Sequence, residues 1–293
     1  MASGFVTGIA NPKPADSITN QQQYEAILKA TNCSDLECLR TAPLEAIYTS
    51  EDTAGSWQPV VDGSFIKQEP ALELDAGHIA RVPIMLGNNA DEGLFVVNTI
   101  ASLYGSVPND VSQLRALLSQ LLPAVDNSTI DLLLEAYSAN SPMPPYSLSL
   151  EYPWCLALEA VNLTCGAEYR RTAAILGDWF VDAGRRSMAK RWVRLGLPAY
   201  SYRFSADPTS LPIQDWNGLG PGFAIHGADL AYDFRLPGGF TTDINFYPPV
   251  KNVSSHEQLS KVMVSKFVSF AHSLDPNAIE GEHIILIKSH DYI

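Results

Sequence analysis

The stretch Val82–Gly93 reads VPIMLGNNADEG: a short apolar run, a glycine, two asparagines, then two acids before a second glycine. A brief apolar run bounded by turn formers predicts a buried strand, here Val82–Leu86, with a tight loop behind it. Ala199–Phe204, AYSYRF, repeats the pattern and runs into a Gly/Pro-rich loop that ends at His226, within GFAIHGADLAYDF (Gly222–Phe234). Each strand thus delivers one polar candidate on the loop that follows it, Glu92 in the first case and His226 in the second. Strands of this kind alternating with helices predict an α/β architecture, where working residues gather on loops at the carboxyl ends of strands.

Helical periodicity fills the intervals. In Asp110–Leu122, DVSQLRALLSQLL, residues Val111, Leu114, Leu117, Leu118, Leu121 and Leu122 share one face, and Pro123 ends the run. A longer amphipathic stretch, Arg171–Leu195, carries Ile175, Trp179, Ala183 and Trp192. Ser254 and Glu257 have capping-box spacing ahead of a stripe of Leu259, Val262, Met263, Phe267 and Phe270. These stripes read as core faces rather than as a cofactor box. Ser141–Pro153, with four prolines, reads as an irregular excursion within one domain spanning residues 1–293, since strand and helix signals continue on both sides.

The 293 residues are 46% hydrophobic and 17% charged, enough to bury a sizeable core. A formal net charge of −13 argues against nucleic acid or anionic lipid as a partner, because both repel an acidic surface. No stretch is long and apolar enough to span a membrane. The opening MASGFVTGIANPKP has neither the basic start nor the apolar core of a signal peptide. Yet four N-x-[ST] acceptors, at Asn32, Asn127, Asn162 and Asn252, lean toward a secretory history. The cysteines lean the same way. Cys33 and Cys38 suit a short disulfide loop and Cys155 and Cys165 flank a second short segment, although four cysteines allow three pairings. Zinc is the rival reading; neither spacing is C-x-x-C and no histidine lies close to either pair.

Taken singly, Glu92 reads equally as a surface acid and His226 as a satisfied structural histidine. His226 with Asp229 suggests two metal ligands, but no third is in view.

The motifs taken together are more specific. GNNADEG after one strand and FAIHGADLAYDF after a later one resemble the two downstream signatures of type-B carboxylesterases, the cholinesterase and fungal lipase family with the α/β-hydrolase fold. NCSDLECLR resembles the family's disulfide loop, WQPVVDGSFI its proline-valine-aspartate-glycine segment, and ILGDWFVDAGRRSMAKRW its long helix. PAYSYRFS resembles the strand before the histidine loop and FVSFAHSLDPN the closing helix, so collinear matches span residues 1 to 277. The resemblance implies that Glu92 is the acid and His226 the base of a Ser-His-Glu triad, acting on a small-molecule or lipid ester without metal or organic cofactor. It implies structural roles for Asp62, Asp91, Asp178 and Asp229, and secretion.

No serine of the chain has glycine both two before and two after it, as the nucleophile elbow requires. MASG resembles the M-x-S-G strand that the family places just after that elbow. The expectation is therefore the carboxyl-terminal portion of an α/β-hydrolase with an incomplete central sheet, inactive and aggregation-prone alone, its irregular ending AIEGEHIILIKSHDYI included. A non-catalytic cholinesterase-like interaction module, or a half that complements a separate amino-terminal chain, are the alternatives.

Overall fold

The computed structural model describes residues 2–4, 13–14, 17–54, 59–123, 125–138, 166–206, 224–235, 254–278 and 287–288. The chain divides into two compact units, Val6–Ala80 and Met1–Phe5 with Arg81–Ile293. The excursion at Ser141–Pro153 lies outside the described residues.

Within Val6–Ala80, the short strands β1 (Lys13–Pro14) and β2 (Val60–Val61) pair in parallel. Four helices accompany them: α1 (Ile18–Thr31), α2 (Leu36–Thr41), α3 (Leu44–Ala54) and α4 (Pro70–Asp75). Asn32 ends α1 in the left-handed conformation (φ 56°), which asparagine tolerates, and its N–H returns to the carbonyls of Leu28 and Lys29. Asp35 caps α2 by accepting the Cys38 N–H at 2.9 Å. Those two caps bring Cys33 and Cys38 to a Cα–Cα distance of 5.5 Å, and they form the expected disulfide.

The second unit is built on a three-stranded sheet in the order β3 (Ile84–Asn89), β4 (Ala199–Phe204), β5 (Ile287–Lys288). The first pair is parallel, with Ile84 opposite Ala199 and Asn89 opposite Phe204; the second is antiparallel. On the far side of β3, Ala2 bridges Gly87 in parallel. β3 is displaced from the strand expected at Val82–Leu86. It starts at Ile84, while Val82 is half exposed and gives its carbonyl to Trp192 Nε1. It also continues through Gly87, Asn88 and Asn89, because the ladder to β4 keeps those backbone groups paired and both asparagine side chains find buried partners. Gly87 faces the Tyr202 ring on β4, where any Cβ would collide with it.

Helices α5 (Glu92–Tyr104), α6 (Val111–Leu121), α7 (Asn127–Ala136), α8 (Tyr169–Gly177) and α9 (Ala183–Arg194) lie between β3 and β4 in sequence. The long amphipathic stretch expected at Arg171–Leu195 is helical, but a π-helical turn at Asp178–Asp182 interrupts it. Asp110 and Asp126 cap α6 and α7 through Gln113 N and Thr129 N. The α6 stripe is one turn shorter than periodicity implies. Leu114 and Leu118 pack against Ile130, Leu134 and Ile175, whereas Val111 is 46% exposed in the first turn. The main core joins Leu94 and Val97 of α5, Ala173 of α8, Phe204 of β4 and Ile225 and Tyr232 from the segment that holds His226. The stripe on α11 (Ser254–Ser273) sets Phe267 and Phe270 edge-on against Tyr202 and Tyr200, covering β4 after the short α10 (Leu230–Asp233).

Candidate active site

Glu92 is the first residue of α5, immediately beyond the carboxyl end of β3, and its side chain is 1% exposed. A carboxylate so buried needs partners for both oxygens. Oε1 accepts the Asn89 N–H at 2.6 Å, the Ser3 hydroxyl at 2.5 Å and, more weakly, Asn89 Nδ2 at 3.3 Å. The amino-terminal end of α5 adds a favourable dipole. These bonds fix the carboxylate's plane and leave Oε2 facing His226.

His226 Nδ1 donates to Glu92 Oε2 at 2.6 Å. The imidazole is 41% exposed, so the pair is dry at the carboxylate and open at the imidazole. Phe95, one helical turn beyond Glu92, stacks on the ring with centroids 5.1 Å apart and planes inclined by 26°. With Nδ1 committed to Glu92, Nε2 is the nitrogen able to exchange a proton. The hydrogen bond to Glu92 raises the His226 pKa above the ordinary value, against the opposing effect of burial; the charges of Glu92 and Asp229 add to the rise. Asp229 is almost wholly buried, and that burial pushes its carboxyl up, with the Asn89 bond opposing.

The acid turn also borders a cavity of about 350 Å³ lined by Asp91, Asp178 and Asp182 and by Arg170, Arg186 and Arg203, so its charges balance. Beneath β3, Arg185 donates through Nε to Asn88 Oδ1 and through Nη1 to Ser201 Oγ, and reaches Asp182 of the π turn at 3.1 Å. Among the described residues no group of three or more His, Cys, Asp or Glu side chains could hold a metal ion.

The structure brings together Glu92 and His226, which lie 134 positions apart. Of the other singled-out residues, Asn32 and Asn127 are exposed, the latter in the first turn of α7. Asn162, Asn252, Cys155 and Cys165 lie outside the described residues. No role beside Glu92 and His226 follows from the sequence for Ser3, Asn89 or Phe95. Phe95 had a local signal, one turn after Glu92 on a helix; Ser3 is the serine of the MASG segment that resembles the family's strand, but nothing local pairs it with Glu92, 89 positions away.

The chain is 26% identical over 249 residues to Secreted lipase 1 of Botryotinia fuckeliana (strain B05.10), covering 75% of this chain and 40% of that protein. It is 25% identical over 280 residues to Lipase 2 of Diutina rugosa, covering 90% and 42%. Against Cholinesterase 2 of Branchiostoma lanceolatum it is 27% identical over 214 residues, covering 66% and 56%. The matched regions thus span about two-fifths of the two fungal lipases and somewhat over half of the cholinesterase. A sequence model of the carboxylesterase family, whose fold is the α/β-hydrolase, matches residues 3–288; this chain belongs to the carboxylesterase family.

Proposed function

We propose that the chain supplies the acid and the base of a carboxylic ester hydrolase, with Glu92 and His226 as two members of a Ser-His-Glu triad. The observation that carries this reading is the 2.6 Å bond from His226 Nδ1 to a buried carboxylate, with the imidazole open on its other side. In the proposed reaction Nε2 takes the proton of a serine hydroxyl as that oxygen attacks the ester carbonyl. The imidazolium so formed keeps its Nδ1–H on Glu92 and then passes the new proton to the departing alcohol. Phe95 covers one face of the ring and limits its swing.

The nucleophile and the oxyanion donors belong, on this reading, to residues outside these 293. No serine here stands in a G-x-S-x-G frame, and the chain matches less than half the length of the fungal lipases. The three-stranded sheet among the described residues fits the carboxyl-terminal portion of a larger α/β-hydrolase sheet. An amino-terminal half, in the same longer protein or as a separate chain, would complete the site. The substrate class is a small-molecule or lipid ester; secretion follows the secreted fungal relative, and glycans at exposed Asn32 and Asn127 follow their N-x-[ST] triplets.

The test uses p-nitrophenyl butyrate with the purified chain, alone and co-purified with an amino-terminal segment carrying G-x-S-x-G. The expected result is no turnover alone and hydrolysis by the pair that His226→Ala abolishes. Hydrolysis by the chain alone, lost in His226→Ala, would place the nucleophile within these residues. A stable pair with no His226-dependent hydrolysis would overturn the reading.

A further inference from the structure

Glu92 and His226 sit on segments far apart in sequence, and one hydrogen bond to a partly exposed imidazole cannot by itself hold a turn in place. Two closed pairs of bonds flank it. On one side Asp91, the residue before Glu92, meets Ala224, two before His226: the Asp91 N–H donates to the Ala224 carbonyl at 2.9 Å and the Ala224 N–H to Asp91 Oδ2 at 3.0 Å. On the other side Asn89, three before Glu92, meets Asp229, three after His226. Asn89 Nδ2 donates to Asp229 Oδ1 at 2.9 Å, and the Asp229 N–H donates to Asn89 Oδ1 at 3.2 Å.

The first pair departs from what the local sequence would do, and the second is sealed from water. Asp91 occupies the N-cap of α5, yet its side chain makes no capping bond. Asp35, Asp110 and Asp126, at the same position of α2, α6 and α7, each accept an N–H from their own helix. A cap forgone has a cost, and here the carboxylate is turned to a distant segment instead. Asn89 and Asp229 are 0% and 1% exposed, so any mismatch between them leaves buried polar atoms without water to replace the partner. Asn89 also reaches Glu92 Oε1, tying acid and histidine turn through one amide.

We infer that Asn89 and Asp91 are positioning residues, clamping the turn 224–229 so that His226 Nδ1 meets Glu92 Oε2; the inference rests on the acid–base reading of that pair. Asp91→Asn and Asp91→Ala provide the test, because both remove the same charge while only asparagine keeps an oxygen for the Ala224 N–H. The readout is the His226 Nδ1–H signal in protein labelled with ¹⁵N-histidine, assigned by its loss in His226→Gln, with its solvent-exchange rate and titration. Thermal melting is followed in parallel. Glu92→Gln is the control for the underlying reading. It should speed exchange and lower the pH at which His226 titrates. Asp91→Asn should then match the unaltered protein at His226. Asp91→Ala should exchange about fivefold faster, the size of one lost net hydrogen bond, and titrate lower than Asp91→Asn. Asn89→Ala should move the signal in the same direction. If Glu92→Gln moves His226 while the two Asp91 variants are indistinguishable there, the clamp is wrong and the acid–base pair stands. A residue that merely stabilises the fold would lower melting without separating them at His226. If Glu92→Gln itself leaves His226 unmoved, the pair falls and the clamp with it.

Discussion

Gly93→Ala sets two opposing effects against each other in a way the structure can decide. Alanine in place of glycine within a helix ordinarily gains up to about 1 kcal/mol. Gly93, however, lies in the first turn of α5 where that helix meets α8. A Cβ there would sit 2.7 Å from the Ala173 carbonyl carbon and 2.8 Å from the Gly177 nitrogen, with the Ala173 oxygen nearer still. Ordinary contact begins at 3.4 Å; the carbonyl carbon alone requires about 0.7 Å, and the nearer oxygen forces the two helices apart by well over 1 Å. All three obstructing atoms are backbone, and no side-chain rotation relieves them. Overpacking of this kind costs about 1–3 kcal/mol, and a rigid obstruction belongs at the upper end, leaving a net loss of about 2 kcal/mol after the propensity gain. Glu92 moves with the turn, so its 2.6 Å bond to His226 should stretch toward the limit of hydrogen bonding. The assay is urea unfolding, read as a lower midpoint at constant slope, together with weakening of the His226 Nδ1–H signal. Unchanged or increased stability with that signal intact would refute the reasoning, since it would mean that the helices do not approach as closely as this.

Other substitutions test separate parts of the site and the fold. Ser3→Ala removes a hydroxyl from Glu92 Oε1 while Asn89 still donates to it, and should cost about 1–2 kcal/mol. Ser3 is in the left-handed region at φ 46°, so Ser3→Gly should melt higher than Ser3→Ala although both lack the hydroxyl. Cys38→Ser should cost about 2 kcal/mol, the low end expected for a short loop, and non-reducing peptide mapping of secreted material should find Cys33 and Cys38 joined; two free thiols would remove the bridge. Stability should fall as pH rises from about 4 to above 7. Burial and the Asp229 charge push the Asp233 carboxyl up to about 7 from 3.8, so the folded chain keeps a proton that the unfolded chain releases, and stability is lost across that interval. His226, raised above its ordinary 6.5, contributes fully below that value and loses its contribution as pH climbs through its folded midpoint. Burial raises Asp229 in the same direction, so urea midpoints against pH should show a shallower first slope in Asp233→Asn and lose the second in Glu92→Gln.

What the sequence determined by itself was local chemistry. Apolar runs at Val82–Leu86 and Ala199–Phe204 announced strands, the first of which begins only at Ile84; the leucines of α6 made an amphipathic helix, and the short Cys33–Cys38 loop made a disulfide. Each outcome depends on a few consecutive residues, so it is written in their order. The meeting of Glu92 and His226 is not of that kind. The resemblance implied it, whereas composition and spacing left both residues ambiguous. Only the parallel register of β3 on β4 places the two loops at one end of the sheet. The strand extension through Asn88 and Asn89 was hidden because asparagine has low intrinsic strand preference. Ladder hydrogen bonds and buried partners on other elements overrode it. The π turn at Asp178–Asp182 likewise sits in an unbroken amphipathic pattern. The contacts of Ser3 with Glu92 and of Asn89 with Asp229 were invisible for the same physical reason: hydrogen bonds formed across 89 and 140 positions impose no period on either segment, and a buried polar group's partner exists only once the chain has folded.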